Sequence, residues 1–346
     1  MIRDQLRVGV AGLGPMGMIH VRNALASSEA DLVAVAAARP GRADEVAAQM
    51  GPAVRPMGYE ELFTAPDVDA VVIATQTWGH PEHAVAALRG EKHVLLEKPG
   101  ATSLAGIELI EEEAGERPDQ ILRVAYMRRH DPLFVELKRV VTSGEIGEPF
   151  AAHMTSRETK PPDEDQLETG GFIMDLGVHD MDTARWLLGD EPVSVFTASQ
   201  RHAVPHSDMD NAYLNIAFQH GRFATCNLAR TSVVGHDIRC EVVGTAGAAT
   251  LSQVPSRGQI TVTTRREAGA FPSGFAQRWE TAYRRVLDDF VEACLGRPSA
   301  GASIADDRTA VATVVAARAS AVAAEPLDVG PDWAWEPVTA SPSRYV

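Results

Sequence analysis

The 346-residue sequence has few cysteines, few basic residues relative to acidic ones, and no long apolar run. Cys226, Cys240 and Cys294 are far apart and form no CxxC motif, which excludes a disulfide framework and gives no support to a thiolate metal site. No apolar run approaches the ~20 residues that span a bilayer. The net charge of −15 argues against a nucleic-acid or anionic-membrane partner, because both require a basic surface.

The composition that remains is that of a globular protein, with 45% hydrophobic and 23% charged residues. The N-terminus leads directly into an apolar strand and lacks the longer apolar region of a secretion signal. The chain is long enough for two domains of ordinary size. We therefore expect a cytoplasmic, two-domain protein without a metal centre.

Residues 1–125 alternate short apolar runs with alanine-rich helical segments. Continuous apolar runs separated by helices are typical of parallel strands that are buried on both faces. The pattern predicts a doubly wound Rossmann domain of the α/β class. The predicted strands are Leu6–Ala11, Leu32–Ala37, Ala70–Thr75, His93–Glu97 and Ile121–Met127. The predicted helices are Gly17–Ala26, Ala43–Gln49, Glu82–Arg89 and Leu104–Glu113.

Residues 126–346 follow a different pattern, in which helices flank a long series of short strands. Turn signals between those strands indicate antiparallel connections. We expect an α+β domain with a mostly antiparallel open sheet, which binds the substrate and forms oligomers. Its predicted strands are Phe150–Ser156, Val193–Ser199, Ala212–Phe218, Phe223–Leu228, Cys240–Gly244, Ala249–Gln253 and Ile260–Thr264. Its predicted helices are Pro132–Thr142, Phe172–Leu188, Glu280–Leu295 and Ala305–Ala321.

A glycine-rich turn, Gly12-Leu13-Gly14-Pro15-Met16-Gly17, joins the first predicted strand to the first helix. In a dinucleotide site the first glycine allows a tight turn, the second lets the backbone approach a pyrophosphate, and the third permits close helix–strand packing. The helix N-terminus adds N–H groups and a partial positive charge for the phosphates. This context predicts that Gly12, Gly14, Pro15, Met16 and Gly17 bind NAD or NADP.

The end of the second strand lacks the acidic residue that holds the ribose 2′-hydroxyl in NAD sites. Ala38 leaves room there for a 2′-phosphate, and Arg39 or Arg42 can bind it with a guanidinium group. The alternative is that both arginines are ordinary surface residues. We expect NADP to be favoured modestly, with NAD or dual use left open.

Two loops follow the next strands of the predicted parallel sheet. The loop Thr75–His80 is expected beside the pyrophosphate and nicotinamide, with Thr75 and His80 as cofactor contacts and His80 as a packing or capping residue rather than a catalyst. Glu97-Lys98-Pro99 ends a buried strand, where open α/β sheets bind their ligands. Lys98 can polarise or protonate an oxygen there, although an ordinary solvated lysine is the alternative.

Asp175, His179 and Asp182 are spaced i, i+4 and i+7, so a helix places them on one face. One interpretation is a catalytic stripe. Others are an exposed Asp–His pair, stabilisation of the helix N-terminus by Asp175, or metal ligation, which would need further ligands.

These motifs together resemble the Gfo/Idh/MocA oxidoreductases, and within them most closely the inositol 2-dehydrogenases and related cyclic-polyol or sugar dehydrogenases. The resemblance runs from about Arg7 to about Thr250, with the motifs in order and correctly spaced. Its further markers are Tyr126–Asp131, Gly144–Pro149 and Gly170–Asp182. The family fold is a Rossmann domain followed by a mostly antiparallel sheet domain whose open face commonly builds homodimers and homotetramers.

The resemblance implies specific roles. Lys98 matches the lysine that contacts the nicotinamide ribose and the reacting oxygen, with Glu97 beside it in the cofactor site. Asp175 and His179 match the catalytic Asp and His. It also implies that substrate hydroxyls are contacted by four further residues, Arg128, Glu158, Asp182 and His236. His236 departs from the family pattern, since inositol dehydrogenases often have a tyrosine there.

The implied function is an NAD(P)-dependent oxidoreductase that moves a hydride between a secondary hydroxyl of a cyclic polyol or sugar and the nicotinamide. One alternative is a biosynthetic ketoreductase that acts on a hexose, a nucleotide sugar or an inosose. Another is a non-enzymatic NAD(P)-binding regulator.

Overall fold

The computed structural model describes residues 5–158, 171–201, 209–232, 235–252 and 275–330. The chain forms two compact units. The first contains Met1–Ala101, Ala105–Glu145 and Phe275–Ala310, and the second contains Thr102–Leu104, Ile146–Gly274 and Val311–Val346. Residues 126–145 and 275–310 thus pack with the first unit, whereas the sequence predicts them in the second domain. None of the helices in the described ranges is long and apolar enough to cross a membrane.

Six strands of the first unit form one parallel sheet: β1 (Leu6–Ala11), β2 (Ala30–Ala36), β3 (Arg55–Met57), β4 (Ala70–Ile73), β5 (His93–Leu96) and β6 (Leu122–Val124). Their order across the sheet is β3-β2-β1-β4-β5-β6, with every neighbouring pair parallel. All four residues of β4 are buried, as are the last four of β1. This doubly wound arrangement confirms the Rossmann prediction.

Helices cover this sheet and extend the unit: α1 (Pro15–Ala26), α2 (Arg42–Met50), α3 (Tyr59–Thr64), α4 (His80–Arg89), α5 (Leu104–Gly115), α6 (Pro132–Ser143), α8 (Phe275–Cys294) and the first part of α9 (Ile304–Ala323). Helix α1 begins two residues earlier than predicted because proline is well suited to the first helical position. The side chain of Asp131 caps α6 by accepting hydrogen bonds from the backbone N–H groups of Leu133 and Phe134.

The predicted strand Ile121–Met127 is too long. Strand β6 ends at Val124, and residues Met127–His130 form a 3₁₀ turn. The turn is held by a long-range contact, since the Tyr126 hydroxyl donates a 2.6 Å hydrogen bond to buried Asp307. The sequence also misses β3 and α3. Strand β3 has only three residues at the sheet edge, two of them exposed, so it has no apolar pattern.

The second unit contains a seven-stranded sheet: β7 (Pro149–Arg157), β8 (Pro192–Gln200), β9 (Asn211–Phe218), β10 (Phe223–Ala229), β11 (Asp237–Gly244), β12 (Gly247–Leu251) and β13 (Leu327–Asp328). The order is β12-β11-β7-β10-β9-β8-β13, and only the pair β7 and β10 is parallel among these strands. Helix α7 (Phe172–Leu188) packs on β7 and β10. The mostly antiparallel sheet confirms the predicted fold class, and the predicted strand Ile260–Thr264 lies outside the described residues.

Candidate active site

The glycine-rich turn between β1 and α1 brings backbone segments into direct contact. Gly12 has a positive φ of 93°, and a Cβ atom on it would lie 2.3 Å from the carbonyl oxygen of Ala74. A Cβ on Gly17 would lie 1.8 Å from the carbonyl oxygen of Gly12. Any side chain at these two positions would force the turn, the helix and the end of β4 apart.

Gly14 has a different role. A Cβ on Gly14 would have nothing within 4 Å among the described residues, so folding of the turn does not require glycine there. Gly14 is also the N-cap of α1, beside the N–H groups that a first helical turn leaves without intrahelical acceptors. An open backbone edge at a helix N-terminus suits a pyrophosphate. The predicted residues Gly12, Gly14, Pro15, Met16 and Gly17 therefore fit a dinucleotide.

The end of β2 carries the predicted Ala38 and Arg39. The Arg39 guanidinium lies 3.0 Å from a Glu45 carboxylate oxygen, and Arg42 lies 3.3 Å from the same oxygen. The Arg39 side chain is 67% exposed, so it is accessible to a ligand. Tyr59, which sequence reasoning missed, is hydrogen-bonded to the Ala38 backbone, and burial raises the pKa of its hydroxyl.

The loop after β4 is anchored by two histidines. The Thr75 hydroxyl lies 2.9 Å from Nδ1 of His83. Nδ1 of His80 lies 2.9 Å from the Pro99 carbonyl oxygen, and Nε2 lies 3.2 Å from that of Thr75. Complete burial lowers the pKa of His80 and favours the neutral ring. These contacts agree with the packing role expected for His80.

Lys98 follows β5 and is partly exposed, whereas Glu97 is buried. One Glu97 carboxylate oxygen accepts a 3.2 Å hydrogen bond from the backbone N–H of Lys98. The other lies 2.8 Å from Nε2 of His20, a fully buried residue of α1. Glu97 thus joins the dinucleotide helix to the lysine.

Arg128, predicted to bind substrate, is only 3% exposed. Its guanidinium carbon lies 5.6 Å from the ring centroid of Phe134 and 5.9 Å from that of Trp279. Both contacts lie within cation–π range. The structure therefore places this guanidinium against two aromatic rings of the first unit.

In the second unit, the stripe of α7 is confirmed as helical, with Asp175, His179 and Asp182 in a single helix. Asp175 is the most accessible, with a side chain that is 30% exposed, whereas His179 and Asp182 are 7% and 1% exposed. Among the described residues, no group of three or more His, Cys, Asp or Glu side chains is arranged to hold a metal ion.

Arg230, at the end of β10, brings three predicted residues together. Its guanidinium pairs with the carboxylate of Asp175. It also lies 3.9 Å from the carboxylate of Glu158, and Nδ1 of His236 lies 4.0 Å from the other oxygen of that group. Phe172 packs beneath the guanidinium, with its ring centroid 5.8 Å from the central carbon. One buried cation thus sits between two carboxylates from separate segments.

Sequence reasoning missed His20, Tyr59 and Arg230. His20 lies three residues after Gly17 on the first helix, and Arg230 directly follows an apolar strand, so position alone could have marked both as candidates. Their partners are distant in sequence, however, and no local pattern identifies such pairs. Tyr59 gives even less signal, because the sequence prediction missed the element that carries it.

Comparison with known proteins matches two long segments of the chain to family models. Residues 6–126 match an oxidoreductase family with an NAD-binding Rossmann fold. Residues 134–250 match the GFO/IDH/MocA C-terminal domain. Together these matches cover more than half of the sequence, and the chain belongs to the Gfo/Idh/MocA family of NAD-binding oxidoreductases.

Individual relatives extend over most of the chain. An inositol 2-dehydrogenase of Acidothermus cellulolyticus is 35% identical over 94% of this chain and 96% of its own length. A myo-inositol 2-dehydrogenase of Thermotoga maritima is 31% identical over 83% of this chain and 87% of its own. A myo-inositol dehydrogenase of Lactobacillus casei, solved with NAD(H) and myo-inositol, shares the fold, with a TM-score of 0.84 and 24% identity over 96% of this chain and 99% of that one.

The glycine geometry predicts different outcomes for two alanine substitutions. Gly14→Ala should leave the melting temperature of the nucleotide-free protein unchanged but weaken NAD+ binding, because the methyl group enters the open edge that a pyrophosphate would approach. Gly17→Ala should lower the melting temperature, because its methyl group collides with the Gly12 carbonyl. Thermal unfolding and NAD+ titration by intrinsic fluorescence measure the two effects. Full NAD+ affinity in Gly14→Ala would contradict the cofactor position.

Proposed function

We propose that this protein oxidises a secondary hydroxyl of an inositol-like cyclic polyol or sugar. Two curated relatives with at least 30% identity, spanning most of the chain, are inositol 2-dehydrogenases. The observation that carries the proposal is the joint presence of the dinucleotide turn, Lys98 at the end of β5, and Asp175 with His179 on one helix. The second unit also carries carboxylate, guanidinium and imidazole groups, which can accept hydrogen bonds from the hydroxyls of a polyol or donate to them.

The protein's part in this reaction is proton transfer and charge stabilisation. His179 removes the proton from the reacting hydroxyl, and Lys98 donates a hydrogen bond to the same oxygen as negative charge develops on it. Asp175 orients His179 or relays its proton. The turn Gly12–Gly17 would hold the dinucleotide, which when bound would supply the hydride acceptor for the oxidation of the carbinol carbon. Contacts of Arg128, Glu158, Asp182 and His236 with substrate hydroxyls remain predictions from the resemblance.

The assembly and the location are also proposals. Among the described residues of the second sheet, three aromatic side chains are exposed, those of Phe150, Tyr213 and Phe223. An exposed antiparallel face of this kind is a natural interface for a homodimer or homotetramer. A cytoplasmic location stays a prediction from the sequence.

The direct test is a spectrophotometric screen at 340 nm of inositol isomers and pyranoses, each with NAD+ and with NADP+. We expect turnover of at least one cyclic polyol. The corresponding inososes and ketoses, supplied with the reduced nucleotides, test the reverse direction. Activity in neither direction, despite nucleotide binding, would contradict the proposal and favour an NAD(P)-binding regulator.

Replacement of the proposed catalytic residues should affect chemistry rather than nucleotide binding. Lys98→Met and His179→Gln should each lower kcat by about 10²–10⁴-fold, the usual contribution of a positioned acid or base. NAD+ affinity should largely survive in both variants. Lys138→Met, which removes another partly exposed lysine from the first unit, is the matched control and should keep full turnover. Near-native kcat at saturating substrate in either catalytic variant would overturn its assignment.

We further propose that the protein accepts NADP(H), with a modest preference over NAD(H), through Arg39. The guanidinium is exposed at the end of β2, and the small Ala38 leaves space beside it. The salt bridge to Glu45 competes for the same guanidinium, so the preference should be small.

Arg39→Ala should therefore weaken the binding of NADP+ about tenfold more than the binding of NAD+. This is the loss expected for one exposed charge-assisted hydrogen bond, about tenfold in affinity. Glu45→Gln should have the opposite effect, because it releases the guanidinium. Dissociation constants from fluorescence titration measure both effects. Arg139→Ala, which removes another exposed arginine from an Arg–Glu pair, controls for net charge. An unchanged NADP+/NAD+ ratio in Arg39→Ala would refute the role of Arg39.

A further inference from the structure

His20 is a buried titratable residue to which the proposed chemistry gives no role. It lies in α1, three residues after the last glycine of the dinucleotide turn, and its side chain is completely buried. Its Nε2 lies 2.8 Å from Oε1 of Glu97. The second oxygen of the same carboxylate accepts the backbone N–H of Lys98 at 3.2 Å. Helix α1 and the segment that follows β5 are thus connected through one carboxylate.

We propose that His20 is a positioning residue for Lys98 and acts through the Glu97 carboxylate. The inference rests on the proposed function insofar as Lys98 is catalytic. His20 itself contacts neither the reacting atoms nor, in the proposed mechanism, the substrate.

The argument begins with the carboxylate. A buried carboxylate needs hydrogen-bond donors for its oxygens, and an ionised carboxylate can only accept. Nε2 of His20 therefore donates to Oε1, while the Lys98 amide donates to Oε2. With a donor on each oxygen, the carboxylate cannot rotate without breaking one of these bonds. Its fixed orientation in turn fixes the peptide plane from which the Lys98 side chain leaves the backbone.

The position of His20 gives this contact a second consequence. Helix α1 begins at Pro15, inside the turn that fits the dinucleotide, and His20 lies on its second turn. The hydrogen bond therefore ties the segment that carries Lys98 to the helix that holds the cofactor. A small displacement between these segments would misalign the lysine with the reacting hydroxyl, and misplacement by about 1 Å can cost 10²-fold in rate.

Two variants separate positioning from packing. His20→Gln keeps an N–H donor close to the place of Nε2, so it should still hold the carboxylate. His20→Asn has nearly the same chemistry, but its shorter amide corresponds to Nδ1 and does not reach Oε1. A role in packing alone would make both substitutions similar in effect, because both replace the ring by a carboxamide.

The position of Lys98 can be followed without activity, because the sequence contains only four lysines, Lys92, Lys98, Lys138 and Lys160. A sample labelled with [¹⁵N]lysine should give four backbone amide signals, and the Lys98→Arg variant identifies the one from Lys98. In His20→Asn that signal should move more than the other three, because the carboxylate that accepts its N–H is no longer held. In His20→Gln it should stay close to its wild-type position.

The kinetic measurement uses the cyclic polyol that gives turnover in the 340 nm screen. His20→Asn should lower kcat by about ten- to a hundredfold, with the KM for the polyol and the NAD+ affinity unchanged. Deuterium on the carbinol carbon should then slow the variant more than the wild type, because hydride transfer has become rate-limiting. His20→Gln should restore most of kcat.

The inference is overturned if His20→Asn leaves the Lys98 signal in place, or if kcat per folded molecule is unchanged. It is also overturned if His20→Gln shows the same losses as His20→Asn. If His20→Asn fails to fold, the test compares His20→Gln with the wild type. A displaced Lys98 signal in His20→Gln would then contradict the positioning role of His20. If the wild type turns over no polyol, the proposed function fails, and the lysine spectra decide independently whether His20 holds Lys98.

Discussion

The close backbone contact between Gly12 and Ala74 is the constraint on which the first unit depends. It lets the turn after β1 lie directly against the end of β4, with no side chain between them. The ladder continues beyond the strands, because the Ala74 N–H donates to the Ala11 carbonyl at 2.8 Å and the Glu97 N–H donates to the Ile73 carbonyl at 2.9 Å. The glycine-rich turn, the loop that begins at Thr75 and the segment that carries Lys98 therefore begin at one edge of the sheet. This edge is where α/β proteins bind their ligands.

Buried imidazoles then fix the loops that leave this edge. His80 lies between the carbonyl oxygens of Thr75 and Pro99, and His20 donates to Glu97. The neutral ring of His80 has a single N–H, so only one of its two carbonyl contacts can be a donated hydrogen bond at a time. Both histidines join backbone segments that are not adjacent in sequence. A hydrophobic contact in the same place would not set the orientation of a peptide group, whereas these hydrogen bonds do.

The sequence predicts best those parts of the fold that depend on residues close together in the chain. Strand β1 and helix α7 have the predicted bounds, because a mostly apolar run and a long helical period each appear within one segment. The glycine turn is equally local. By contrast, the parallel pairing of β7 with β10 depends on strands about seventy residues apart, and turn signals between neighbouring strands carry no information about it. The contact between His20 and Glu97 is missed for the same reason, since the residues next to each in the sequence give no indication of the other.

Arg230 shows how such long-range contacts assemble a charged cluster in the second unit. Glu158 follows β7, Asp175 lies on α7 and His236 precedes β11, yet all three gather around this one guanidinium or its partner carboxylate. Because Arg230 is buried between two carboxylates, its charge is already compensated within the second unit. It therefore offers little attraction to a phosphate or carboxylate on a substrate. The carboxylates keep acceptor sites for further hydrogen-bond donors, so this cluster suits hydroxyl groups better than anionic groups.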